Sequence, residues 1–176
     1  MGDRRERPPR IEVVVGDITK QHVDAVVNAA NSSLRGGGGV DGAIHAAAGP
    51  GLLDECVERF PDGLATGAAG WTSGHRLPAR WVIHVVGPNY RAGETDRRLL
   101  VSCYENALAA ADELGARSVA FPLVSAGIYG WPREDAIAAA VDTLRSTPTA
   151  VSSAVLVAFG RAAYDEILGY LERTRG

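Results

Sequence analysis

An α/β fold, organised as a three-layer α/β/α sandwich, is what the order of hydrophobic patterns along this sequence predicts. Short apolar runs alternate with longer segments in which apolar residues recur at helical spacing, from about residue 11 to residue 173. One short run, Ala25-Val26-Val27, is apolar without alternation, which suits an interior parallel strand covered on both faces. Four consecutive glycines, residues 36–39, come after that strand and lead into an apolar helix rather than into more polar chain.

Residues 1–10, MGDRRERPPR, read as a flexible N-terminal arm whose arginines are diluted by acidic residues; residues 11–173 read as a single domain. Residues 11–15 form a β-rich run with imperfect alternation, which places a strand at the margin of a sheet and ends it at Gly16-Asp17. A brief helical stretch is expected around Gln21 and His22, with His22 solvated, before the strand at 25–28. Residues 40–48 read as a short helix closed by Gly49-Pro50, and residues 52–60 as a second, stopped by Pro61-Asp62-Gly63. Strands follow at 67–72 and 81–85, the latter ended by Gly87-Pro88. His84 sits inside this apolar run, where a hydrogen-bonded core histidine is the expectation.

A polar loop at 89–95 precedes a long helix that begins at Asp96. Leu100, Tyr104, Ala107, Ala111 and Leu114 form its buried stripe, and Gly115 ends it. Residues 118–122 carry the chain into the next strand, and a helix over 132–144 starts with Pro132 in its first turn, where a missing N–H costs nothing. Pro148 breaks the chain before the apolar run 154–159, and the last helix spans about 162–173. No internal repeat and no second domain are evident.

A chain of 176 residues can bury a real core without disulfides or a structural metal. The net charge of −3 supplies no global positive field, which argues against a nucleic-acid partner. Cys56 and Cys103 are too few and too scattered for a disulfide scaffold or a metal knuckle, and they read as buried thiols. No His, Cys, Asp and Glu cluster has metal-ligand spacing, so neither a metal nor a cofactor is expected. No secretory leader or membrane-length apolar run stands out, and the expectation is a soluble, cytoplasmic monomer with no membrane partner.

Glycine backbone is open to close approach by a ligand, and N–H groups beside a helix start suit a phosphate. The run 36–39 ends in no Gly-Lys-Ser/Thr, and it is not a Rossmann-type dinucleotide fingerprint. Asn28-Ala29-Ala30-Asn31, Leu34, the four glycines, Val40, Gly42-Ala43-Ile44-His45 and Ala47-Ala48-Gly49 together resemble the signature of the macrodomain family, in particular its MacroD-type branch, which removes ADP-ribose from modified proteins. A second block from Pro122 to Pro132, PLVSAGIYGWP, resembles that family's other phosphate loop. The resemblance covers residues 11–171 and implies a mixed, six-stranded sheet.

It also implies a ligand, ADP-ribose or an ADP-ribosylated protein, laid out from end to end. Asp17 would accept from the adenine amine, Ile18 would offer a backbone N–H, and Phe159 would pack against the base. The diphosphate would lie between Gly37, Gly38, Gly39 and Val40 on one side and Ser125, Ala126, Gly127, Ile128 and Tyr129 on the other. Neither loop carries a cation, so backbone donors and helix dipoles must hold it without metal. Arg35 is expected to be solvated at the loop tip, and His45 to have a supporting or packing role.

Asn31 would donate to or accept from the distal ribose, Tyr129 would lie over it, and Asp41 would orient or deprotonate a water aimed at the anomeric carbon. A ligand phosphate could take that proton instead, with Asp41 holding the sugar. The implied activity is hydrolysis of ADP-ribosyl esters of protein carboxylates and of O-acetyl-ADP-ribose. The alternative is a module that binds ADP-ribose without cleaving it. Gly160 to Ala163 departs from the family in replacing a more acidic run after the aromatic.

Overall fold

The computed structural model describes residues 7–175. Residues 1–6 of the expected arm lie outside the described residues; Arg7 is tied to Thr149 by paired backbone hydrogen bonds of 3.3 and 3.1 Å. In chain order the elements are β1 (Arg10–Val15), β2 (Ala25–Ala30), α1 (Gly39–Ala48), α2 (Pro50–Arg59), β3 (Ala69–Ser73), β4 (Trp81–Val86), α3 (Arg97–Leu114), β5 (Ser118–Phe121), α4 (Arg133–Ser146), β6 (Ser153–Ala158) and α5 (Arg161–Arg173). The six strands form one sheet in the order β1-β6-β5-β2-β4-β3, with β3 antiparallel and every other neighbouring pair parallel. The fold is therefore the three-layer α/β/α sandwich that the sequence predicts, with the mixed, six-stranded sheet that the family resemblance implies.

Period-two alternation along the strands divides the core into two. Ala25 and Val27 of β2 and Ile83 and Val85 of β4 pack with Leu100 and Tyr104 of α3, Ile137 of α4 and Ile167 of α5. Val26 and Ala30, with Val82 and Val86, face the other way, against Ile44 of α1 and Leu52 and Cys56 of α2. β2 and β4 are covered on both faces, which is why they show no regular polar alternation; their two polar side chains, Asn28 and His84, are themselves buried and hydrogen-bonded. β1 is an edge strand, with half-buried and exposed residues. Two local expectations shift. The helical stretch expected near His22 is a short 3₁₀ turn at Ile18–Lys20, because Asp17 accepts from the Thr19 backbone N–H at 2.9 Å. A second 3₁₀ turn, Tyr90–Ala92, lies inside the expected polar loop.

Candidate functional site

Four parallel strands end on one side of the sheet, and the loops that leave them carry the residues of interest. Across the order β1-β6-β5-β2 these ends bring up, in turn, Asp17, Phe159, the 122–131 loop and Asn31. The linear sequence of roles expected from one end of a ligand to the other is thus a spatial order as well, over three strand spacings of about 4.8 Å each.

The first glycine loop is anchored before it reaches the glycines. Leu34 takes a positive φ of 57° and is buried in the α1–α2 side of the core. Arg35 is not a solvated loop-tip residue. Its guanidinium donates to the carbonyls of Ser33, Cys56, Phe60 and Pro61 at 3.0 to 3.4 Å, capping the C-terminal end of α2 and stapling the loop to it. Gly38 precedes α1 with no side-chain cap, and the backbone N–H groups of Gly38, Gly39 and Val40 have no hydrogen-bond acceptor among the described residues. Gly42 is needed behind them, because a Cβ there would lie 2.5 Å from the Gly37 carbonyl oxygen.

Asn31 and Asp41 converge on Gly37. A Cβ built on Gly37 would sit 3.2 Å from Asp41 Oδ2 and 3.3 Å from Asn31 Nδ2. Asn31 Nδ2 donates to the Gly36 carbonyl at 3.0 Å, and its Oδ1 accepts from both the backbone N–H and the hydroxyl of Ser33. The amide therefore keeps one N–H to offer and a carbonyl already occupied, which makes it a donor towards a sugar hydroxyl rather than a donor or acceptor. Asp41 is buried in the first turn of α1 and caps no backbone N–H. Its Oδ1 accepts from Asn28 Nδ2 at 2.8 Å and lies 3.4 Å from His45 Nε2. Asp41 Oδ2 is buried and has no hydrogen-bond partner among the described residues.

The second loop is held at both ends. Tyr104 of α3 accepts from the Val124 N–H at 3.0 Å and donates to the Pro122 carbonyl at 3.3 Å, while Trp131 Nε1 donates to Asp135 at 2.9 Å. Between these anchors Ser125 adopts a φ of 66°, and its buried hydroxyl has no partner among the described residues. Gly87, just past β4, makes room for it, since a Cβ there would collide with the Ser125 hydroxyl. The N–H groups of Ser125, Gly127, Ile128 and Tyr129 donate to no other group among the described residues. Ile128 brings the two loops together: its Cδ1 lies 3.2 Å from the Cβ position of Gly38 and 3.6 Å from that of Gly39. The Tyr129 phenol is pushed above its usual range by burial first, then by the charges of Glu94 and Asp41. At the sheet edge Phe159 is 98% exposed, and Asp17 uses Oδ1 on both the N–H and the hydroxyl of Thr19, hydrogen bonds that hold its carboxyl below the usual range.

Residues 27–140 match the Macro domain family. The chain belongs to the macrodomain family. A macro domain-containing protein of Streptomyces nogalater is 55% identical over 159 residues, 88% of each chain. A protein of Citrobacter rodentium named O-acetyl-ADP-ribose deacetylase is 49% identical over 160 residues, 89% of each chain. The crystal structure of a Trypanosoma brucei macrodomain in complex with ADP-ribose superposes with a TM-score of 0.84 at 37% identity, covering 94% of this chain and 74% of that one.

His84 of this macrodomain is the hydrogen-bonded core histidine that the sequence predicts, while its partners, Asn28 and Thr72, escape a reading of the sequence. Asn28 and His84 sit in apolar strands, and Thr72 lies in the edge strand β3, yet the three are joined beneath the site. The available signal was two polar residues in interior strands, each of which must find a partner. The role of Arg35 had no such signal, because its acceptors are backbone carbonyls. Cys56 lies 3.8 Å from His84 Nε2, but burial, Asp41 and Glu55 push its thiol up to about 11, so it is protonated at neutral pH. Among the described residues no group of three or more His, Cys, Asp and Glu could hold a metal ion, and no helix is long and apolar enough to cross a membrane.

Proposed function

We propose that this macrodomain is a hydrolase that removes ADP-ribose from mono-ADP-ribosylated protein carboxylates and acts on O-acetyl-ADP-ribose. ADP-ribose is the ligand that the Trypanosoma brucei homologue holds, and the Citrobacter rodentium relative is named for the deacetylase reaction. The observation that carries the reading is Asp41 Oδ2, a buried carboxylate oxygen with no donor, beside Gly37 and next to the single spare N–H of Asn31. A binding module needs phosphate donors and an adenine seat. A carboxylate oxygen turned towards the glycine loop adds nothing to those.

The base would rest on Phe159 with its amine towards Asp17 and a nitrogen towards the Ile18 N–H. The diphosphate would take the free N–H groups of Gly38, Gly39 and Val40 and of Ser125, Gly127, Ile128 and Tyr129, with Gly37 and Ala126 shaping the walls. Asn31 would donate to a hydroxyl of the distal ribose under Tyr129. Water, accepted by Asp41 Oδ2, would attack the anomeric carbon of the ester. The bond from that carbon to the carboxylate oxygen breaks, the carboxylate leaves with the electron pair, and the water proton passes to Asp41 or to a ligand phosphate. Positive charge developing on the sugar is stabilised by the nearby carboxylate. Incubating the purified protein with a glutamate-linked mono-ADP-ribosylated protein should release free ADP-ribose well above the spontaneous rate. Release at the spontaneous rate, with ADP-ribose still bound, would mark a binding module instead.

A further inference from the structure

A row of polar side chains crosses the otherwise apolar face of the sheet beneath α1 and α2. Thr72 of β3, His84 of β4 and Asn28 of β2 are all fully buried, and Asn28 stands opposite His84 in the parallel register. Thr72 Oγ1 is 3.0 Å from His84 Nε2, and His84 Nδ1 is 3.1 Å from Asn28 Nδ2, which also donates to Asp41 Oδ1 at 2.8 Å. Three strands and a helix are thus linked by one chain of hydrogen bonds that ends on the carboxylate.

Counting protons gives the chain a direction. Thr72 donates its hydroxyl proton to the Ser73 carbonyl at 3.1 Å, so it meets His84 Nε2 as an acceptor. His84 therefore carries its proton on Nε2 and presents a lone pair at Nδ1. Burial, with His45 adding to it, holds this imidazole down to about 3, so the ring is neutral. The amide nitrogen of Asn28 has two protons and faces two acceptors, whereas its Oδ1 has no partner among the described residues. Turning that amide over would set an oxygen against both acceptors, so its orientation is decided by the ring and the carboxylate together.

We infer that Thr72, His84 and Asn28 are positioning residues for Asp41, holding Oδ1 so that Oδ2 stays turned towards Gly37. This rests on the hydrolase reading. None of the three needs to touch the ligand: they act through the carboxylate, and Thr72 sets the polarity from the far end. Without its hydroxyl the His84 ring loses its acceptor at Nε2, where Cys56 sulfur at 3.8 Å is a weak substitute. The ring can then move its proton to Nδ1, the Asn28 amide turns over to accept it, and Asp41 faces an oxygen where it had a donor.

Thr72→Val keeps the shape of the side chain and removes only the hydroxyl; Thr72→Ser restores it. On the hydrolysis of a carboxylate-linked ADP-ribosyl peptide, Thr72→Val should lower kcat about ten- to hundredfold, with KM and the ADP-ribose Kd within about twofold, because a misplaced reacting group costs rate rather than ground-state binding. Thr72→Ser should stay within about threefold of the wild type. Long-range ¹H–¹⁵N spectra of the wild-type imidazoles should show the His84 proton on Nε2, a reading that stands whether or not a variant folds. A proton on Nδ1 overturns the proposal. So does a Thr72→Val enzyme as fast as wild type, or a Thr72→Ser enzyme as slow as Thr72→Val. Wild type that releases no ADP-ribose removes the hydrolase reading and this inference with it, whereas active wild type with an unaffected Thr72→Val removes the inference alone.

Discussion

Asp41 and Asn31 show how much of a residue's chemistry is set by bonds already made. Asn31 has both lone-pair positions of its carbonyl engaged by Ser33 and one of its two N–H groups engaged by Gly36, which leaves one donor. Asp41 has the complementary remainder, one unengaged acceptor. His84 has a different consequence, visible in stability. Its folded-state pKa lies near 3, below the ordinary 6.5, chiefly through burial. As pH falls the unfolded chain takes up that proton first, so the contribution is full above 6.5 and is lost as pH falls towards 3. Urea unfolding at pH 7 and pH 5 should show the wild type losing about 2 kcal/mol more than His84→Gln over this interval. Equal losses in the two proteins would mean that His84 titrates in the folded protein as it does in the unfolded chain.

At the scale of elements, the site depends on where loops are stapled. Arg35 ties the start of the glycine loop to the end of α2 through three carbonyls, those of Cys56, Phe60 and Pro61. Tyr104 and Trp131 do the same for the second loop from α3 and α4. Arg35→Ala should lower stability by about 1–2 kcal/mol, read as a fall of several degrees in Tm, and weaken ADP-ribose binding through the loosened loop. Calorimetry and thermal unfolding of the variant check this; unchanged affinity would show that the glycines keep their conformation without the staple.

Elements were legible where one physical signal dominated. Ala25-Val26-Val27 and the run from Trp81 to Val85 are doubly buried strands, and their apolar composition says so directly. Gly49-Pro50 and Gly115 end helices in the sequence as they do in the fold, by positive φ at the glycine. The glycine and asparagine pattern from Asn28 to Gly49 was legible as a unit, through its likeness to a family. What stayed hidden depends on side chains meeting across the sheet. Nothing local distinguishes an arginine bound to distant carbonyls from one in water, and nothing local aims Thr72 at His84. The antiparallel pairing of β3 is likewise a property of the sheet rather than of its residues.

For the molecule as a whole, one arrangement follows from the parallel strands: the residues proposed to hold the ligand lie along a single edge in the order of the groups they would hold. The net charge is −3, and the two loops offer an anion backbone N–H groups rather than cationic side chains. Binding of ADP-ribose should therefore survive a chelator unchanged, and at a hundredfold excess over Kd it should add about 2.7 kcal/mol to stability. Loss of the thermal shift on adding chelator would mean that a divalent ion takes part.

The central claim is that Asp41 acts on the reaction more than on binding. Its most direct test is to measure, for wild type and Asp41→Ala, the rate of ADP-ribose release from a carboxylate-linked substrate beside the calorimetric affinity for ADP-ribose. The account predicts a rate lower by roughly 10²–10⁴-fold in the variant, with affinity changed far less, because the diphosphate and adenine contacts lie elsewhere. A variant that cleaves as fast as wild type, or one whose affinity falls in step with its rate, would contradict it.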